Sequence, residues 1–178
     1  MRTKQKGFSL IELLIVVAII LIIAAIAIPN LIRSRMAANE ASAVACLRTL
    51  TTAMVSYSST YGNGNPPDLL SLQSPGTNPA DCAHAGLVDD VLAGKINGGT
   101  PTTFTKSGYL FTYIPGGTAL TAPTLTPPCT AGGWPTSSTS ALPVSVGGTG
   151  QRGFLIDNTG VIYFTTNGTL PVVGGAVL

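Results

Sequence analysis

Charge is what this chain has least of. Only 9% of its residues are charged, and it holds a single histidine and a single tryptophan. With one histidine, any Ser-His-Asp arrangement or histidine-rich metal site would depend on His84. That residue lies in a polar, cysteine-containing stretch where a surface role fits better. Three of the nine basic residues, Arg2, Lys4 and Lys6, precede Gly7. The others, Arg33, Arg35, Arg48, Lys95, Lys106 and Arg152, are scattered and make no stripe for phosphates, so no dedicated nucleic-acid site is expected. Glycine is also missing from Phe8 to Tyr61, where Pro29 is the one helix breaker.

That glycine-free stretch is rich in long apolar side chains. Leu13 to Ile32 carries no charge, and a helix of that length rising about 1.5 Å per residue spans roughly 30 Å of hydrocarbon. The chain therefore carries a membrane segment, and the basic residues before Gly7 favour a cytoplasmic N-terminus. Glu12 stands just inside the apolar run, where an uncompensated charge costs about 2.5–3.5 kcal/mol. Either it snorkels to water at the interface, or it meets a positive partner, most simply the free amine of a neighbouring chain cut just upstream. An ordinary secretory signal cut after Ala27 would also fit the basic start, the apolar run and Ala25-Ile26-Ala27. Against it, an acid at the head of the run serves nothing in a disposable leader, and the helical pattern continues past the supposed cut.

Beyond Pro29, which should kink the helix, Val44, Leu47, Leu50, Met54, Tyr57 and Tyr61 recur at steps of three and four. Such a half-exposed stripe needs a cover. Successive breakers from Gly62 to Pro67 end the helix. Asp68–Leu72 then reads as one helical turn, and Ala85–Ala93 as a short helix stopped by Gly94. The period changes to two at Tyr109–Ile114, with Thr118–Thr124 as its returning partner. Residues 123–150, rich in Pro, Thr, Ser and Gly, read as a mobile surface loop. Phe154–Ile156 and Val161–Phe164 form a hairpin about Asp157-Asn158-Thr159-Gly160. The end from Leu170 to Leu178 is left unassigned. The fold class is α+β: a long kinked helix whose second half packs on a small antiparallel sheet of roughly four strands.

The remaining chemistry is sparse. Gly148-Thr149-Gly150-Gln151-Arg152-Gly153 fits GxGxxG, but a hairpin follows it rather than a helix, so no nucleotide site is expected. Asp89 and Asp90 are adjacent and diverge, which suits capping or solvation rather than paired acid catalysis. Tyr109, Phe111 and Tyr113 share one strand face and read as core against the helix. Asn167-Gly168-Thr169 matches a glycosylation sequon. Cys46, Cys82 and Cys129 suit an oxidising compartment. Cys46 shares a helix stripe with Leu50, Ala53 and Tyr57, and the segment carrying Cys82 can fold back over it. A Cys46–Cys82 bridge is therefore expected, with Cys129 left over.

A basic leader ending in Lys6-Gly7, then Phe8, then Glu12 at the fifth position after the glycine, then a long apolar helix broken at Pro29: in these features the chain resembles the type IV pilins and pseudopilins, over residues 1–60. The resemblance implies a class III leader, residues 1–7, cut between Gly7 and Phe8 by a prepilin peptidase that then methylates the Phe8 amine. It implies a transmembrane and filament-core segment over 8–30 and an amphipathic half over 31–61. A globular periplasmic or extracellular domain over 62–178 would follow. The subunit would wait in the inner membrane as a single-pass protein until an assembly ATPase and a platform protein extract it into a homo-oligomeric helical filament. Neither cofactor nor metal is implied. Two alternatives stay open. A secretion-system pseudopilin shares the N-terminal argument, but the acidic calcium-binding loop of the major pseudopilins is not seen. A membrane-anchored enzyme or binding domain would need a convergent polar site.

Overall fold

The computed structural model describes residues 7–61, 64–95, 100–120 and 133–178. The chain divides into two compact units, one ending at Arg35 and one spanning Met36–Leu178. A single helix, α1, covers Leu10–Tyr61 and continues through Pro29. Its N-terminal part is exposed all round: Leu10, Leu14, Leu21 and Ile26 each show more than half of their surface.

Within the second unit, α1 is amphipathic for a physical reason visible in its spacing. Glu40, Ala43, Leu47, Leu50, Met54 and Tyr57 fall on one side and are buried, at steps of three and four. They pack against a five-stranded antiparallel sheet in the order β1 (Thr103–Lys106), β2 (Tyr109–Gly116), β3 (Thr136–Pro143), β4 (Gly153–Asp157), β5 (Ile162–Thr165). Tyr109, Phe111 and Tyr113 alternate with half-exposed Leu110 and Ile114, as the two-residue strand period requires, and form the core face. Register places Phe104, Phe111, Ala141, Phe154 and Phe164 in one row across that face. The row is large, large, small, large, large. Phe104 and Phe111 stack with centroids 4.5 Å apart, and Ala141 in the middle leaves room for the helix.

This corrects two expectations. The partner of β2 is not Thr118–Thr124; it is β1 on one side and β3 on the other. Thr136–Pro143, assigned to a mobile loop, is the central strand. Its sequence is polar because its inward positions, Ser137, Thr139 and Ala141, must be small where the helix crosses the sheet. Met54 of α1 reaches Ser137, whose hydroxyl lies 3.7 Å from the thioether sulfur. Residues 121–124, the rest of the expected returning strand, lie outside the described residues.

The connection between helix and sheet covers the far end of α1. Tyr57 donates its hydroxyl to the Cys82 carbonyl at 2.8 Å, and Tyr113 donates to the Pro66 carbonyl at 2.7 Å. Burial, with smaller pushes from Tyr61, Asp68 and Asp81, raises the Tyr57 phenol to about 12. The expected turn at Asp68–Leu72 forms as a 3-10 helix over Leu70–Leu72, with the Asp68 carboxylate accepting the Ser71 amide. The expected helix at Ala85–Ala93 shortens to turns around Asp89–Gly94, capped by Asp89 through the Leu92 amide. The hairpin from Phe154 to Phe164 is as read, with Ile156 opposite Ile162 and Gly160 at φ 76 closing the turn. The C-terminus returns along β5: the Phe164 amide bonds the Ala176 carbonyl and the Leu178 amide the Ile162 carbonyl.

Candidate functional site

Two arrangements carry chemistry, one in each unit. The first is the start of α1. Ser9 precedes the first helical residue, Leu10, and the Glu12 carboxylate reaches back to accept the Ser9 amide at 2.8 Å. This is half of a capping box, Ser-x-x-Glu, and it also places the negative charge at the positive end of the helix dipole. Reading Glu12 from the sequence alone demanded compensation from outside the chain; part of it is local. The signal was present in the Ser9 to Glu12 spacing. Phe8, at the expected cut, is three-quarters exposed, and Gly7 has nothing within 4 Å of where a Cβ would stand.

The second is a clasp between α1 and the loop before β4. Glu40 is buried, yet its carboxylate is fully engaged. One oxygen accepts the amides of Gln151 at 2.8 Å and Arg152 at 3.1 Å, and the other accepts the Arg152 Nε at 2.7 Å. Burial pushes the Glu40 pKa up, but the Gln151 amide, the Arg152 side chain and the Arg152 amide outweigh it and hold the carboxyl below 4.5. Asn39 beside it donates to the Thr149 carbonyl at 2.9 Å, and Ser42 meets Ser107 of the β1–β2 turn at 3.0 Å. The Arg152 guanidinium lies over the rings of Phe154 and Phe164, at 5.5 and 5.9 Å.

The GxGxxG segment is thus an anion-binding loop after all, and the anion is the protein's own Glu40. Its glycines are explained by close approach. A Cβ on Gly150 would come within 2.0 Å of the Tyr109 hydroxyl, which itself donates to the Arg152 carbonyl at 2.9 Å. A Cβ on Gly153 would meet the Thr169 carbonyl at 2.2 Å. Sequence reasoning missed Glu40, although an acid on the apolar stripe of an amphipathic helix is itself a signal that a buried partner waits.

The other candidates resolve into local structure. His84 is exposed and contacts Asp81 at 3.3 Å, while the same carboxylate accepts the amides of Ala83 and His84. Asp90 pairs with Lys95 at 3.5 Å. Among the described residues no group of three metal-ligating side chains converges. A groove of about 390 Å³ between α1 and the β3–β4 end is lined by Thr51, Ser58, Ser138, Asp157 and Asn158. Its carboxylate is committed to the hairpin turn through Thr159.

The cysteine expectation fails. Cys46 is buried on the stripe and its thiol is free, whereas Cys82 is disulfide-bonded. The segment carrying Cys82 does fold over α1, but at the level of Tyr57, which holds its carbonyl. Cys46 lies eleven positions earlier, roughly 16 Å along the axis, and bridged Cα atoms stand no more than about 7 Å apart. Cys129 lies outside the described residues.

Comparison with known proteins bears on the first arrangement. Residues 2–28 match the prokaryotic N-terminal methylation motif. Over 54 residues the chain is 50% identical to the type IV major pilin protein PilA of Myxococcus xanthus, covering 30% of this chain and 24% of that protein. Over 44 residues it is 60% identical to the type IV wide pilus major component PilA4 of Thermus thermophilus, covering 25% of this chain and 34% of that protein. The match thus spans about a third or less of each of these curated relatives. The stretch that matches the N-terminal methylation motif holds Gly7, Phe8 and Glu12, and the chain is similar, over 54 and 44 residues, to these two type IV pilus proteins.

Proposed function

We propose that this chain is a structural subunit of a type IV pilus, held in the inner membrane as a single-pass protein and then assembled into a homo-oligomeric helical filament. The observation that carries the reading is the exposed apolar part of α1 joined to the methylation motif. Side chains such as Leu14, Leu21 and Ile26 need either lipid or copies of themselves. Burying them against one another at about 25 cal/mol per Å² of apolar area holds a polymer without covalent links.

In this reading residues 1–7 are removed, the Phe8 amine is methylated, and Pro29 marks a bend where the Ala25 carbonyl loses its helical donor. A prepilin peptidase, an assembly ATPase and a platform protein act on the chain. Residues beyond the membrane segment lie on the periplasmic side and later on the filament surface. The role is mechanical rather than enzymatic. Glu12 keeps its cap in the single subunit and pairs with the amine of a neighbouring Phe8 in the filament.

Glu12→Gln separates those two duties, because a glutamine at this position still caps Ser9 but carries no charge. The variant is expected to insert in the membrane as the parent does and to yield few filaments. Filaments at the parental level would refute the charge pairing.

A further inference from the structure

We infer that Asn167 is a glycosylation site, taking an oligosaccharide from a lipid-diphosphate-linked donor. Asn167-Gly168-Thr169 is the one Asn-X-Ser/Thr triplet in the sequence, and X is not proline. It lies in the loop after β5, with Asn167 and Thr169 both exposed.

The geometry goes further than the triplet. The Asn167 Oδ1 accepts the Thr169 hydroxyl at 2.7 Å and the Thr169 amide at 3.3 Å. Neither contact uses Nδ2. Loss of an Nδ2 proton ahead of bond formation leaves negative charge shared with Oδ1, where these two donors already sit. The loop is held in this shape. Thr165 donates its hydroxyl to the Thr169 carbonyl at 2.6 Å, and Gly168 takes φ 71, where a Cβ would also meet Val146 at 2.6 Å. Glycine is therefore required at the middle position by the backbone.

In the step itself, Nδ2 forms a bond to the anomeric carbon of the donor. The bond from that carbon to the diphosphate oxygen breaks, and the lipid diphosphate leaves with the electron pair. The Nδ2 proton passes to a basic group of the transferase. The inference rests on the export reading above, since the loop must reach the compartment where such donors are presented.

Trypsin releases the site on one peptide, Gly153–Leu178, because no lysine or arginine follows Arg152. The chain is purified both from sheared filaments and from whole membranes of the native cell, so that the peptide is read even if the chain forms no filament. Mass spectrometry is expected to find a hexose- or hexosamine-containing adduct on Asn167, lost in Thr169→Val and kept in Thr169→Ser. Membranes of each variant are checked by circular dichroism for the parental fold. Asn167 found only unmodified, or only deamidated to aspartate, overturns the inference, as does an adduct that survives Thr169→Val.

Discussion

Replacing Glu40 by alanine would remove the acceptor of three hydrogen bonds at the one place where α1 is tied to the loop before β4 by charge. A hydrogen bond to a charged group contributes about 1.5–3 kcal/mol, and an amide left unpaired in a buried place costs about 1–3 kcal/mol. The Arg152 side chain is 38% exposed, so its ion pair is discounted to about 0–1 kcal/mol, as for a surface pair. A loss of about 2–4 kcal/mol follows, which for a chain of this size lowers Tm by roughly 5–15 °C. Glu40→Gln keeps an oxygen for the two amides and should lose less than half as much.

The pH dependence has a definite sign. The folded pKa of Glu40 is lowered from 4.5, so its contribution is complete above the unfolded pKa and lost as pH falls through the folded one. The stability gap between the parent and Glu40→Gln should therefore narrow as pH falls below 4.5 and close once it is below the lowered folded pKa. Thermal unfolding in detergent, followed by circular dichroism at neutral and acid pH, measures both effects. An alanine variant within about 1 kcal/mol of the parent, or a gap unchanged at acid pH, would refute the clasp.

Two other outcomes follow from the packing. Gly150→Ala should cost about 1–3 kcal/mol, read by thermal unfolding, through collision with the Tyr109 hydroxyl and ring. Because ring carbons stand 2.6 and 2.8 Å from the added Cβ, Tyr109→Phe should leave most of the loss in place in the double variant. Non-reducing peptide mapping should show Cys46 as a free thiol and Cys82 joined to the one cysteine left in the sequence, Cys129. A Cys46–Cys82 linkage would show that the connecting segment covers the helix at a different level.

The parts legible in the sequence were those where one strong pattern acts alone. The apolar run, the stripe from Leu47 to Tyr57, the alternation of Tyr109, Phe111 and Tyr113 and the Asp-Asn-Thr-Gly turn each appear as read. β3 was illegible because tertiary crowding, not strand propensity, chose its residues: Ser137, Thr139 and Ala141 are small where the helix lies. The disulfide was misplaced because the helical stripe gives the face on which Cys46 lies but not the height at which Cys82 returns. The Glu40 clasp was half written in GxGxxG, whose glycines allow the close approach of the loop to Tyr109 and to the Thr169 carbonyl. The partner was hidden more than a hundred residues upstream, on the helix face read as apolar.

The most direct test of the central claim is the terminal mass of this chain in filaments sheared from the native cell. The account predicts a chain that begins at Phe8 and carries one methyl group on its amine. Filaments that lack the chain, or a mature chain that begins at Ile28, would contradict it.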